Sequence, residues 1–344
     1  MRIAFILDEP WDSALTDYAF KIYRLACKKY RAKVFCLRES YISKKVDNPE
    51  LIKPLRNSNP FSSLAAFFDL YKKLKKFEPN IVVTIRGNAT FYSCLLKKNI
   101  EFKLFRIFGE NKKLKSPTNC IDKLILPCEY LKNNTGVKGI KDIIVLKNFI
   151  DTEKFRFSAS GREKIRKKFD LDGKVVFGSV GRLDKVKGYE LLIRAFAKAK
   201  IYNGVLFIVG EEKGIKKDKL IELARSLNLN NVIILTERRK DIIDIISSFD
   251  IGVISSIDSE VIPRVMLEFL SIGLPIVSTN IGCLKEIGEE IGAILSDPVE
   301  ENLSKSLIEA LKNYDKIERE EIAKRANRYS LELKEDIFKI NLYK

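Results

Sequence analysis

The chain has 344 residues, which suggests two domains of roughly 150–180 residues each. It contains no histidine, which excludes a Ser-His-Asp triad, a Cys-His dyad, histidine zinc ligation and imidazole acid–base chemistry. Its formal net charge is +17, at 46% hydrophobic and 32% charged residues, and no uncharged apolar run is long enough for a transmembrane helix.

The N-terminal run MRIAFIL meets acids at Asp8 and Glu9. It is too short for a signal peptide and reads as a first strand, Ile3–Leu7. Strand patterns follow at Lys33–Leu37, Ile81–Ile85, Leu104–Phe108, Leu124–Leu126 and Ile143–Leu146. The second half repeats the rhythm at Val175–Val180, Val205–Val209, Val232–Leu235, Ile251–Ile254, Pro275–Ser278 and Ala293–Leu295. Several are apolar throughout rather than alternating, as in strands buried on both faces of a parallel sheet. Helical patterns lie between them, for example Leu191–Ala199 and Lys217–Leu227. The repeated βα order predicts an α/β protein with two Rossmann-like, doubly wound domains. The polar, non-periodic stretch Lys154–Gly161 marks the seam. The expected domains are residues 1–157, joined by a C-terminal helix near 328–344, and residues 158–327.

The charge is uneven. Residues 1–170 carry 36 Lys/Arg and 18 Asp/Glu, a net of +18, whereas residues 171–344 carry 27 and 28, a net of −1. A lysine-rich solvated surface explains this excess as well as a polyanion does, whether nucleic acid, anionic membrane or phosphorylated acceptor. The stretch Pro60–Phe77 places Phe61, Leu64, Phe68 and Tyr71 at helical spacing, with Lys72, Lys73, Lys75 and Lys76 at its end. It reads as a helix packed on the first sheet or as an interfacial anchor on anionic lipid. Six scattered cysteines without a CxxC pair read as buried free thiols in a reducing cytoplasm, with no four-cysteine zinc site.

Ligands of doubly wound sheets bind beyond the carboxyl ends of the strands. Three motifs stand there in the second half. The first, Gly181-Arg182-Leu183-Asp184-Lys185-Val186-Lys187-Gly188, sets two cations in one loop after a strand, where they can converge on a diphosphate. The second runs from Ser259 and Glu260 through Ile262 and Pro263 to Glu268. Pro263 is suited to the first position of a helix, whose free N–H groups attract anions. Glu268 then falls within an almost wholly apolar helix, Arg264–Ile272, where a buried carboxylate needs a cation or ligand hydroxyls. The third runs from Gly273-Leu274-Pro275 through Gly282 to Glu286.

In this order and spacing the three motifs resemble the nucleotide-sugar-binding domain of glycosyltransferase family 4, the group 1 glycosyltransferases of GT-B fold. The likeness covers residues 175–300. It implies two domains facing a central cleft, with Arg182 and Lys187 on the donor diphosphate. It implies Glu268 on the ribose hydroxyls and Glu260 on the donor sugar. Gly181, Gly210, Glu211, Ile262 and Pro263 would line the donor site, with the Thr236–Arg239 turn, including Arg238, beside the base. Glu260, Arg182 and Lys187 would be the catalytic groups. The implied reaction is a retaining transfer without metal or other cofactor, the leaving phosphate oxygen taking the acceptor's proton. The sequence Asp170-Leu171-Asp172 reads as a helix end rather than a metal site.

The first half is similar to the family's acceptor domain in rhythm. Asn148-Phe149-Ile150-Asp151 resembles the family's Asn-Gly-x-Asp before the seam. The loop Trp11–Tyr18 lacks the family's usual glycines, although small residues such as Ser13 leave room for an acceptor. Many members carry a histidine where this chain has Phe108 or a neighbour. Asp12, Ser13, Arg86, Arg106 and Glu110 are the candidates on the acceptor side. The expected partners are a nucleotide-sugar donor, a glycan or lipid-linked acceptor in lipopolysaccharide or surface polysaccharide assembly, and an anionic membrane surface. A non-catalytic nucleotide-sugar-binding protein is the alternative. Nucleic acid is not an expected partner, since no RRM, KH or zinc-finger pattern occurs.

Overall fold

The computed structural model describes residues 1–56, 59–115, 118–134, 136, 140, 142–237, 239–258 and 260–331. The first unit holds β1 (Arg2–Leu7), β2 (Arg31–Leu37), β3 (Glu50–Ile52), β4 (Ile81–Thr84), β5 (Lys103–Ile107), β6 (Lys123–Leu126) and β7 (Asp142–Val145). They form one sheet in the order β3-β2-β1-β4-β5-β6-β7. The second holds β8 (Val175–Val180), β9 (Gly204–Val209), β10 (Val232–Leu235), β11 (Ile251–Ile254), β12 (Ile276–Thr279) and β13 (Ile294–Ser296). Their order is β10-β9-β8-β11-β12-β13. Each named strand pairing is parallel. The apolar runs read as doubly buried strands are just that: β4, β6, β9, β11 and β12 are buried at every position.

Both sheets reverse their direction of growth at one strand. β1 lies between β2 and β4, and β8 between β9 and β11. The ends of β1 and β8 are therefore the crevices at which doubly wound sheets bind ligands. β3 is the one strand the sequence did not announce. It has three residues and pairs with Phe35–Leu37 at the sheet edge, inside a stretch without apolar periodicity.

The second unit starts at Ile150, earlier than the predicted seam. Ile150 donates its N–H to the Tyr329 carbonyl at 2.9 Å and bridges Ser330. Phe155 packs on the second core, and the Ser271 hydroxyl donates to its carbonyl. Residues 150–157 thus belong with the second unit. Of the expected C-terminal helix, Arg325–Tyr329 form a short 3-10 turn of the second unit, and residues 332–344 lie outside the described residues.

The helix Pro60–Phe77 forms as predicted, started by Asn59, whose side chain accepts from the Phe61 N–H. It packs through Ala66, Leu70 and Leu74. Phe61, Leu64 and Phe68 point outward and are 82%, 55% and 50% exposed. The cysteines depart from expectation. Cys94 and Cys120 form a disulfide with Cα atoms 5.5 Å apart, and only Cys27 and Cys36 are free thiols among the described residues. This pairing removes the ground for expecting a reducing compartment. Among the described residues no helix is long and apolar enough to cross a membrane.

Asp250, at the mouth of β11, organises the second unit. Its carboxylate meets Arg162 at 2.6 Å, Arg166 at 3.2 Å and Arg319 at 3.8 Å, and accepts the Val176 N–H at 2.8 Å. Burial, with Arg162 and Arg166 close by, brings the Arg319 guanidinium down to about 10. Replacing Asp250 with Asn would leave three guanidinium groups facing a neutral amide. We expect Asp250→Asn to destabilise the chain by about 3–5 kcal/mol, read as a lower urea midpoint; an unchanged midpoint would refute the assignment.

Candidate functional site

At the end of β8 the chain turns through Gly181 into the neighbouring loop. The Gly181 N–H donates to Val209 O at 2.9 Å and the Leu183 N–H to Glu211 O at 2.8 Å. Gly210 is needed here, because a Cβ would stand 1.8 Å from the Gly181 carbonyl oxygen. Asp184 then caps the 3-10 turn Lys185–Lys187 by accepting from the Val186 N–H. Gly188 ends that turn at φ +65°, where a Cβ would strike the Ser255 carbonyl at 2.0 Å. The loop after β11 is stitched to this turn: Ile257 N–H donates to Val186 O and the Ser255 hydroxyl to Lys187 O, both at 2.9 Å.

This stitching brings two of the motifs into contact. The Lys187 ammonium donates to Glu260 Oε2 at 2.6 Å, and the Ser256 hydroxyl donates to the same oxygen at 3.0 Å. The third motif joins through the Cys283 N–H, which donates to the Glu260 carbonyl at 2.9 Å. The Tyr189 hydroxyl donates to Gly181 O at 2.6 Å. Burial, with Glu260 nearby adding to it, pushes this phenol up. Pro263, Val265 and Met266 line one small cleft with Lys187 and Glu260. The N-terminus of the helix Arg264–Ile272 therefore opens beside the ion pair. Pro263 is its cap rather than its first residue, one position off the expectation.

The other predicted donor residues sit close by in different states. Arg182 is exposed at the end of β8. Ile262 is buried, at 3% exposure, under the helix start. Glu268 is buried at 7% exposure, as its apolar helix predicted, with Arg264 Nε 3.6 Å away one turn earlier. Arg238 lies outside the described residues, while its neighbour Arg239 is held by Asp241 at 2.7 Å. Asp170 pairs with Lys174 at 3.1 Å and Asp172 lies 3.7 Å from Arg166, beyond the helix Ala159–Lys168.

The first unit carries its own polar site beyond β1, β4 and β5. Glu9 is only 1% exposed. It accepts from two nitrogens of Arg86, the Nε contact being 2.6 Å. The other arm of Arg86 donates to Glu110 at 2.7 Å. Burial works against this guanidinium, but Glu9 and Glu110 raise it overall. Arg106 is 4% exposed and donates to Thr90 Oγ1 at 2.7 Å. Burial brings it down to about 10. Burial also pushes the Asp8 carboxyl up from 3.8 to about 6, against the pull of its own backbone, Arg106 and Arg86. All these side chains line one cleft of about 810 Å³.

Of the acceptor-side candidates, Arg86, Arg106 and Glu110 share this cleft, whereas Asp12 and Ser13 lie outside its lining. Ser13 instead caps the helix Ala14–Cys27, accepting from the Thr16 N–H at 3.1 Å. Asp8 and Glu9 were not singled out in the sequence, although two acids directly after an apolar strand mark a carboxyl end. Ser256 and Tyr189 carried no signal, since a hydroxyl's partner is set by the fold.

Residues 161–329 match the family of glycosyl transferases group 1. An uncharacterized glycosyltransferase of Methanocaldococcus jannaschii is 25% identical over 295 residues, covering 76% of this chain and 71% of that protein. The N-acetylgalactosamine-N,N'-diacetylbacillosaminyl-diphospho-undecaprenol 4-alpha-N-acetylgalactosaminyltransferase of Campylobacter jejuni is 38% identical over 117 residues, 33% of this chain and 29% of its own. The solved structure of Anabaena HepE in complex with UDP superimposes with a TM-score of 0.83 at 18% identity, covering 99% of both chains. The fold of two Rossmann-like units is thus that of the GT-B glycosyltransferases.

The Asp8 carboxyl holds its proton more tightly in the fold than in the unfolded chain. Its ionisation therefore destabilises the fold as pH rises from about 4 to about 6, and the full cost, at most about 3 kcal/mol, is present above that range. Asp8→Asn should raise the melting temperature at pH 8 and leave it nearly unchanged at pH 4. A variant less stable than the parent at pH 8 would contradict this.

Proposed function

This chain belongs to the group 1 glycosyltransferases through residues 161–329, and we propose that it moves a sugar from a nucleotide-diphosphate sugar to a glycan or lipid-linked acceptor, retaining the anomeric configuration and using no metal ion. The observation that carries this reading is the Lys187–Glu260 contact of 2.6 Å, which joins the cation-bearing loop to the first glutamate of the paired-glutamate motif. The UDP held by the Anabaena neighbour supports a nucleotide donor. The diphospho-undecaprenol in the Campylobacter relative's name supports a lipid-linked acceptor, hence a place in lipopolysaccharide or surface polysaccharide assembly.

Arg182 and Lys187 hold the diphosphate, and the N-terminus of the helix Arg264–Ile272 adds its partial positive charge. As the bond from the anomeric carbon to the phosphate oxygen breaks, the electron pair leaves with that oxygen. These cations then stabilise the charge that develops. The acceptor oxygen attacks from the same face, and its proton passes to the departing phosphate oxygen. No histidine is required for this. Lys187 has three N–H donors, so it can keep Glu260 while engaging phosphate. Glu260 then orients the donor sugar, and Glu268 accepts from the ribose hydroxyls.

A thermal-shift series with UDP-, GDP- and ADP-sugars identifies the base, since a bound ligand stabilises by mass action. Lys187→Met and Glu268→Ala should each weaken the preferred nucleotide sugar by about tenfold or more. Unchanged affinity in both would refute the donor site. Transfer or hydrolysis of that donor separates an enzyme from a binding protein.

The anionic membrane is the proposed docking partner of the first unit. Phe61, Leu64 and Phe68 form its outward stripe, and Lys72 and Lys75 continue the same helix face, both exposed. Residues 1–149 carry 29 Lys/Arg against 14 Asp/Glu. The chain should sediment with anionic vesicles and not with neutral ones, and Phe61→Ser with Phe68→Ser should abolish this. No binding to anionic vesicles at low salt would end the proposal.

A further inference from the structure

The cleft of the first unit holds two polar atoms that the fold itself does not satisfy. Glu9 and Glu110 are both engaged by Arg86. Asp8 Oδ1 and Arg106 Nε are buried and have no hydrogen-bond partner. An unsatisfied buried polar atom costs about 1–3 kcal/mol, and these two come from the end of β1 and from β5, which flank β4 on either side and line the same cleft. They offer one acceptor and one donor to the same space. A pair of neighbouring sugar hydroxyls, each both donor and acceptor, matches that offer.

The walls narrow the ligand further. Trp11 and Phe91 line the cleft and are 59% and 47% exposed, so apolar ring faces are available to a sugar's C–H face. The rim is cationic: Arg56, Lys112, Lys113 and Lys115 line it and are exposed. The lining as a whole carries six Lys/Arg and three Asp/Glu, so it favours an anion. Its volume of about 810 Å³ lies within the roughly 300–1,000 Å³ of small-molecule sites. The loop that carries the lysines is tied to the helix Gly87–Leu96 by the Cys94–Cys120 disulfide.

We propose that this cleft binds a sugar bearing a phosphate ester or diphosphate, with Asp8 and Arg106 on the sugar hydroxyls and Arg56, Lys112, Lys113 and Lys115 on the phosphate. The proposal deepens the reading of the chain as a glycosyltransferase by naming the chemistry of its acceptor, and it rests on that reading for the word acceptor. The same chemistry serves a free sugar phosphate and a lipid-linked one.

Trp11 is the sole tryptophan of the chain, so intrinsic emission reports on this cleft. The full chain is titrated with glucose 1-phosphate, glucose, inorganic phosphate and a water-soluble prenyl diphospho-glucose. The two phosphorylated sugars should shift Trp11 emission saturably, with Kd values at least tenfold below those of glucose and phosphate. A further tenfold gain for the prenyl compound assigns the phosphate to a lipid-linked ligand; equal affinities assign it to a free sugar phosphate. Asp8→Asn and Arg106→Met should weaken both tenfold or more while the thermal shift given by the preferred nucleotide sugar persists, which also shows that the variants fold. Lys112→Ala, Lys113→Ala and Lys115→Ala together, all at exposed positions, should remove the advantage of the phosphorylated sugars over glucose. No saturable response, or equal affinity for phosphate and sugar phosphates, overturns the proposal. If none of UDP, GDP and ADP or their sugars gives a thermal shift while Trp11 responds, the donor reading fails and this one stands.

Discussion

A parallel pair of strands cannot be joined by a tight hairpin; the chain must cross over, usually through a helix, and return to the same edge. Every named pairing in both sheets obeys that requirement. The carboxyl ends of all the strands in a unit therefore collect on one side, and residues far apart in sequence meet there. Lys187 and Glu260 meet in this way across 73 positions, and Arg86 and Glu9 across 77. The right-handed crossover rule leaves little freedom in how this is done. Sheet pairing, more than any single contact, puts chemistry at the ends of β1 and β8.

The two units handle buried charge differently. In the second, three carboxylates each have a cation within reach: Glu260 has Lys187, Glu268 has Arg264 and Asp250 has three arginines. Such pairs add little net stability but are costly to break. In the first, Arg86 is shared by two acids, and Asp8 is left in a buried position that disfavours its charge. That arrangement works against stability. Strained or unsatisfied polar groups of this kind cluster where a protein meets ligands.

Much of this was legible before any coordinates. Twelve strands were announced by runs of β-branched residues, because burial on both faces leaves an uninterrupted apolar signature. β3 gave none, since three residues at a sheet edge need no periodicity. The donor-side motifs were readable because their residues lie in two short loops, where spacing along the chain approximates spacing in the fold. The acceptor side was less so. Arg86 and Glu110 stand at strand ends and Arg106 in the stretch aligned with the family's histidine, but Glu9, the partner of Arg86, depends on β4 lying beside β1. The second unit begins at Ile150, ahead of the polar stretch Lys154–Gly161, because polarity marks a surface loop whereas Ile150 is fixed by pairing with Ser330. The Cys94–Cys120 link joins residues 26 apart, and no CxxC spacing hinted at it.

The bridge between Ile150 and Ser330 has a further meaning. It sets the entry and the exit of the second unit side by side, with Ile150 bonded directly to Tyr329. A unit closed in this manner is a cassette: the polypeptide enters and leaves at one point, so the whole of it can be inherited, exchanged or permuted with a single junction to accommodate. The stretch matched to the family, residues 161–329, falls wholly inside that cassette. The likeness to the family is thus a property of one closed cassette, and the first unit lies wholly outside it.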